Sequence, residues 1–88
     1  MIEQKLQSKI KSFLKKEGWI VIKTITLSEN GYPDLICFRQ GVTLFLEIKA
    51  QGETPKPLQE YRLRELKKQG FKAFWTDNYE DFKNRYND

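Results

Sequence analysis

Histidine is absent from this sequence, and cysteine and methionine occur once each. Those gaps remove whole classes of chemistry. Without histidine, and with a single cysteine, the chain has no ligand set for a structural zinc ion, no Ser-His or Cys-His nucleophile and no intramolecular disulfide. Long apolar runs are missing too, since no stretch approaches the roughly 18 apolar residues of a membrane-spanning helix. The opening stretch, MIEQKLQSKIKSFLKK, is amphipathic and charged. It lacks the apolar run and small-residue cleavage site of a secretory signal, so an intracellular, reducing setting is expected. Any catalysis must come from carboxylates, lysines, hydroxyls or a hard metal ion held by oxygen.

What is there is charge and aromatic mass. Of the 88 residues, 32% are charged and 14% aromatic, which is the balance of a folded domain and not of a disordered tail. The length suits one domain, residues 1–88, with a small core. Sixteen Lys and Arg against twelve Asp and Glu leave a net charge of +4, a lean towards a polyanionic partner.

The periodicities predict seven elements. Ile2, Leu6, Ile10, Phe13 and Leu14 share one helical face over residues 2–17, and Gly18 stops that helix. Residues 19–26, WIVIKTIT, read as a strand, and SENGYP (28–33) as a loop. Strands 34–39 and 42–50 follow, joined by Gln40-Gly41 as a tight turn. Pro57 suits the first turn of a helix over 57–69, which Gly70 ends. FKAFW (71–75) reads as a short strand, and 78–86 as a terminal helix capped by Thr76 or Asp77. The order α-β-β-β-α-β-α describes a mixed α/β domain around a central sheet.

The hairpin carries the chemistry. With Gln40 and Gly41 as turn residues, antiparallel pairing sets Arg39 against Val42, Cys37 against Leu44, Leu35 against Leu46 and Asp34 against Glu47. Alternation gives one face to Leu35, Cys37, Leu44, Leu46 and Ile48. The other face holds Asp34, Glu47 and Lys49 at its open end. Directly opposed carboxylates repel, and a divalent cation between them removes the repulsion. Oxygen ligands of this kind suit Mg²⁺ or Mn²⁺. Lys49 would stand beside the ion and could orient or deprotonate a water. A second reading stands beside this one on spacing alone. Asp34 would end a loop, and Glu47 and Lys49 would form ion pairs on a solvated face.

Gly31-Tyr-Pro33-Asp34-Leu, then Glu47-Ile-Lys49-Ala50, then Gln59, resembles the PD-(D/E)xK nuclease signature in the form found in the VRR-NUC family, especially its small stand-alone viral and bacterial members. The resemblance runs over roughly residues 3–76 and includes the early acid Glu3 and the Gly-Trp opening of the first strand. It implies a restriction-endonuclease-like core and metal-dependent hydrolysis of DNA phosphodiesters. Asp34 and Glu47 would bind Mg²⁺ (or Mn²⁺) with help from the Ile48 backbone carbonyl. Lys49 would position or activate water, and Glu3 would reach the water or a second ion. Gln59 would hold Lys49 or a substrate phosphate. The setting would be cytoplasmic or nucleoid-associated, a viral gene product in a host cell included.

Other residues carry lesser expectations. Lys23 either snorkels to solvent or meets a phosphate. Ser28, Asn30 and Tyr32 flank the site and could touch the nucleic-acid backbone, or serve only as loop residues. Lys56, Arg62, Arg64, Lys67 and Lys68, with the lysines of the first helix, form a solvated face from which some would meet phosphate. Small stand-alone members of the family resemble junction-resolving nucleases. A homodimer cutting four-way (Holliday) junctions is therefore expected, with Trp75, Tyr79, Phe82 and Tyr86 as interface candidates. The alternatives are a monomeric or partner-directed flap or nicking nuclease, and a non-catalytic nucleic-acid-binding module with the same fold.

Overall fold

The structure is a computed structural model that describes residues 2–88. Its elements are α1 (Glu3–Lys16), β1 (Ile20–Lys23), β2 (Leu35–Arg39), β3 (Val42–Ile48), α2 (Pro57–Lys68), β4 (Lys72–Thr76) and α3 (Tyr79–Tyr86), in the order the sequence predicts. They build one four-stranded mixed sheet in the order β1-β2-β3-β4. The first three strands are antiparallel, and β4 lies parallel to β3, with α2 as the crossover.

Leu6, Ile10 and Leu14 form the fully buried stripe of α1. The helix ends when Gly18 N–H bonds Lys15 O (3.1 Å) and Trp19 N–H bonds Leu14 O (3.0 Å). That pair of bonds is the Schellman stop, and it recurs after α2 at Gly70 and Phe71. It holds Trp19 at the helix end, so β1 starts at Ile20. At its far end β1 pairs only as far as Lys23↔Leu35. On the paired segment Asp34, directly before Leu35, turns its N–H away from β1 to the Glu47 side chain, and Pro33 before it has no N–H to donate to a ladder. The strand expected over 19–26 is therefore four residues long.

Gln40 and Gly41 both take left-handed backbone angles, φ 48° and 77°, as a two-residue type I′ turn requires. The turn fixes the expected register: Arg39↔Val42, Cys37↔Leu44, Leu35↔Leu46. Leu35, Cys37, Leu44, Leu46, Ile48 and Phe74 meet α1 and α3 in the main core. On the opposite face α2 packs over β4, burying Leu63 and Ala73.

Of the α3 aromatics, Phe82 is fully buried in this core, and Tyr79 and Tyr86 pack against it half-buried. Phe13 meets the rings of Tyr79, Phe82 and Tyr86 edge-on, at centroid distances of 6.3, 5.6 and 5.3 Å. Trp19 Nε1 donates to the Tyr86 hydroxyl (2.9 Å). The expected cap also moves. Asn78 caps α3 by accepting from Asp81 N–H (2.8 Å), while Thr76 is the last residue of β4 and its hydroxyl donates to Asp81 Oδ2 (2.8 Å). Among the described residues no helix is long and apolar enough to cross a membrane.

Candidate active site

The hairpin register continues past Leu35↔Leu46 to Asp34 and Glu47, and there side chains replace the ladder. Asp34 N–H donates to Glu47 Oε1 (3.2 Å), and Ile48 N–H donates to Asp34 Oδ2 (3.0 Å). Each carboxylate thus accepts from the other strand's backbone. Lys49 Nζ lies 3.2 Å from Glu47 Oε2. Two backbone donors and one ammonium offset the repulsion that facing acids would otherwise create. The compensation is incomplete at Glu47, which is only 2% exposed. Burial first, then the charge of Asp34, pushes its carboxyl up to about 7, against the opposing pull of Lys49 and the Asp34 N–H.

Neighbouring elements hold these groups in place. Thr24 N–H donates to Asp34 O (2.8 Å), and the Thr24 hydroxyl donates to Pro33 O (2.8 Å). Lys49 N–H donates to Thr76 O (2.9 Å), which ties the lysine backbone to β4. Sequence reasoning missed Thr24. In the sequence it stands inside the strand expected over 19–26 and carries no signal, and its link to Asp34 appears only once the β1–β2 register is known.

The other expected site residues are placed as follows. Arg39 Nη1 donates to Glu17 O (2.9 Å), which fixes the end of α1 at the hairpin turn. The start of α1 therefore points to the opposite end of the sheet, where Asp34 and Glu47 lie. Glu3 is exposed there and does not join them; among the described residues no three acidic or cysteine side chains gather around a common point. Gln59 Oε1 accepts from Lys56 N–H (2.9 Å), so its carbonyl is engaged at the start of α2. Lys23 is exposed at the site end of β1. Ser28 and Tyr32 line a cavity of about 320 Å³ with Leu27, Pro33, Ile36 and Phe45. The Asn30 carbonyl accepts from Arg62 Nε (3.0 Å).

Gly31 meets a double constraint. Its φ is +86°, and a Cβ there would lie 2.6 Å from Leu58 Cγ. Gly31→Ala is expected to lower stability by about 1–2 kcal/mol from the backbone strain alone. Urea unfolding monitored by circular dichroism measures it, and an unchanged midpoint would show that the loop relaxes freely.

The donor set fits a hard divalent cation. Mg²⁺ keeps several waters and is usually held by one or two carboxylates. Asp34 and Glu47, each bonded to the other's segment, place two carboxylates side by side. A buried carboxyl raised towards neutrality is also the group that a cation would stabilise most in its charged form.

The chain matches no family model. It is 36% identical over 64 residues to "Putative nuclease p44" of Acyrthosiphon pisum secondary endosymbiont phage 1, a match covering 72% of this chain and 66% of that protein. A solved structure titled "VRR_NUC domain" superposes with a TM-score of 0.81 at 26% identity, covering 90% of this chain and 87% of the other. A second, "VRR_NUC domain protein", shares the fold with a TM-score of 0.73 at 23% identity, over 89% and 78% of the two chains. With the fold shared at that TM-score and a nuclease among its sequence relatives, the chain belongs to the VRR-NUC family.

Proposed function

We propose that the protein is a Mg²⁺- or Mn²⁺-dependent DNA endonuclease that selects branched DNA, four-way junctions foremost, and works as a homodimer. The observation that carries the reading is the reciprocal bonding of Asp34 and Glu47 with Lys49 on Glu47. A binding module gains nothing from two facing acids, one of them buried, whereas a metal-dependent phosphodiester hydrolase uses such a pair to hold its ion. The phage relative's name and the VRR_NUC neighbours support the same chemistry.

In this reading Asp34, Glu47 and the Ile48 carbonyl would hold the cation. Such an ion, when bound, polarises a phosphoryl oxygen and acidifies water. The chain's own groups do the rest. Lys49 orients the attacking water and steadies negative charge that develops on the phosphate. Glu3, at the same end of the sheet, reaches the site through water or a second ion. Gln59 fixes the start of α2 beside the site. Lys23, Ser28, Asn30 and Tyr32 border the path of the nucleic-acid backbone, and the exposed cations Arg64, Lys67 and Lys68 supply phosphate contacts.

A monomeric flap or nicking nuclease is the second reading, and one observation favours it. The α3 aromatics that would have formed a dimer surface are engaged within the chain. A homodimer would therefore not centre on these rings, and of the expected interface residues the half-buried Trp75 of β4 is the one left to it. Labelled junction, flap, nicked and linear DNA, incubated with protein and Mg²⁺, separates the readings. Preferential paired cuts in the junction are expected, with sedimentation giving a species of twice the 10.5 kDa chain mass. Equal cutting of every substrate by a 10.5 kDa species would reject junction selectivity and the dimer.

A further inference from the structure

Arg62, on α2, is the most heavily engaged cation among the described residues. Its side chain is 15% exposed, and each of the three guanidinium nitrogens has a partner. Nε donates to Asn30 O (3.0 Å), and Nη1 donates to Glu65 Oε1 (3.0 Å). Nη2 lies 3.5 Å from Glu29 Oε2. The guanidinium carbon sits 4.6 Å from the centre of the Tyr32 ring and 5.7 Å from that of Tyr61. Glu29, Asn30 and Tyr32 belong to the loop that runs directly into Pro33 and Asp34. Between them Gly31 seats its backbone against Leu58 and Arg62, with room for no side chain.

An arginine that binds DNA phosphate keeps donors free in solvent. Here two carboxylates and a carbonyl engage all three nitrogens and two rings flank the guanidinium, so Arg62 is poorly placed for a phosphate. We propose that Arg62 is a positioning residue. It clamps the loop ahead of Asp34 onto α2 and so fixes where the Asp34 carboxylate stands against Glu47. Thr24 holds the same segment from the β1 side. Asp34 is thus gripped between the sheet edge and α2. The planar guanidinium fork combines hydrogen bonds with stacking, which a lysine cannot reproduce.

The catalytic half of this inference rests on the proposed cleavage reaction; the structural half does not. Arg62→Ala and Arg62→Lys are compared with wild type by amide hydrogen exchange and by cleavage kinetics. The Asp34 and Ile48 amides report the geometry directly, because their acceptors are the two site carboxylates. In Arg62→Ala their protection is expected to fall about tenfold or more, while amides in the middle of β2 and β3 keep theirs. The kcat is expected to fall about 10–100-fold, with KM for DNA changed less than about threefold. Arg62→Lys is expected to restore little of either. Should Arg62→Ala lose protection throughout, the better-packed Arg62→Lys takes its place in the same measurements. Unchanged protection at Asp34 and Ile48 would overturn the clamp. A raised KM with kcat intact would make Arg62 a phosphate contact instead. If wild type cleaves no DNA, the proposed reaction fails, and the exchange pattern still decides whether the clamp exists.

Discussion

Lys49→Ala is expected to slow DNA cleavage by about 10²–10⁴-fold, the range for removing a group that moves or orients a proton. Two effects combine. The ammonium that would orient water and steady the phosphate is gone. Glu47 also loses the hydrogen bond and the positive charge of its lysine partner, while it keeps the bond from Asp34 N–H. Both of those interactions hold the Glu47 carboxyl down, so without them it titrates higher than in wild type. A larger share of the protein then carries a protonated, poorly ligating Glu47 at neutral pH. Raising the pH is therefore expected to recover part of the lost activity, but not the part due to the missing ammonium. Lys49→Gln should behave like Lys49→Ala, because a neutral amide replaces neither function. Single-turnover rates on the best substrate, taken across pH with folding checked by circular dichroism, measure both parts. A loss smaller than tenfold at neutral pH would remove Lys49 from the reaction.

Glu47→Gln is expected to stabilise the metal-free protein at neutral and alkaline pH while abolishing cleavage. The sign follows from the direction of the shift. The folded-state carboxyl stands at about 7, above its ordinary value of 4.5. Below about 4.5 both folded and unfolded chains hold the proton, and the group contributes no penalty. Between the two values the folded chain keeps a proton that the unfolded chain has lost, so stability falls as pH rises. Above about 7 the full cost persists. A shift of this size corresponds to roughly 3 kcal/mol. Thermal or urea unfolding in EDTA should therefore show wild type losing stability relative to Glu47→Gln as pH rises from 4.5 to 7. Adding Mg²⁺ should narrow the gap, since a ligand that binds only the folded chain stabilises it. Parallel pH curves for the two proteins would mean that Glu47 is not held raised.

Both expectations rest on a feature that the sequence made legible. Gln40-Gly41 set the turn, the turn set the register, and the register placed Asp34 opposite Glu47. Local chemistry decided each step. The helix stops at Gly18 and Gly70 were equally readable, because their hydrogen bonds are local. Tertiary consequences were harder to read. The composition of residues 19–26 favoured a long strand, yet β1 ends at Lys23, where its neighbour runs out into the Pro33 segment. The aromatics of α3 looked available for a partner because nothing in the sequence places Phe13 against them. Thr24 and Arg62 act on the Asp34 segment from distant elements, and spacing along the chain carries no trace of that. Glu3 shows the limit from the other side. Topology brings it to the correct end of the sheet, but the acidic side chain stands apart from the pair.

The central claim is that Asp34 and Glu47 hold a divalent cation with which the protein hydrolyses DNA. Its most direct test is one cleavage assay on labelled junction DNA, run with wild type in Mg²⁺, wild type in EDTA, and Asp34→Asn in Mg²⁺. The account expects cuts in the first reaction alone, with 5′-phosphate and 3′-hydroxyl ends. Cleavage that continues in EDTA, or that Asp34→Asn sustains at the wild-type rate, would contradict it.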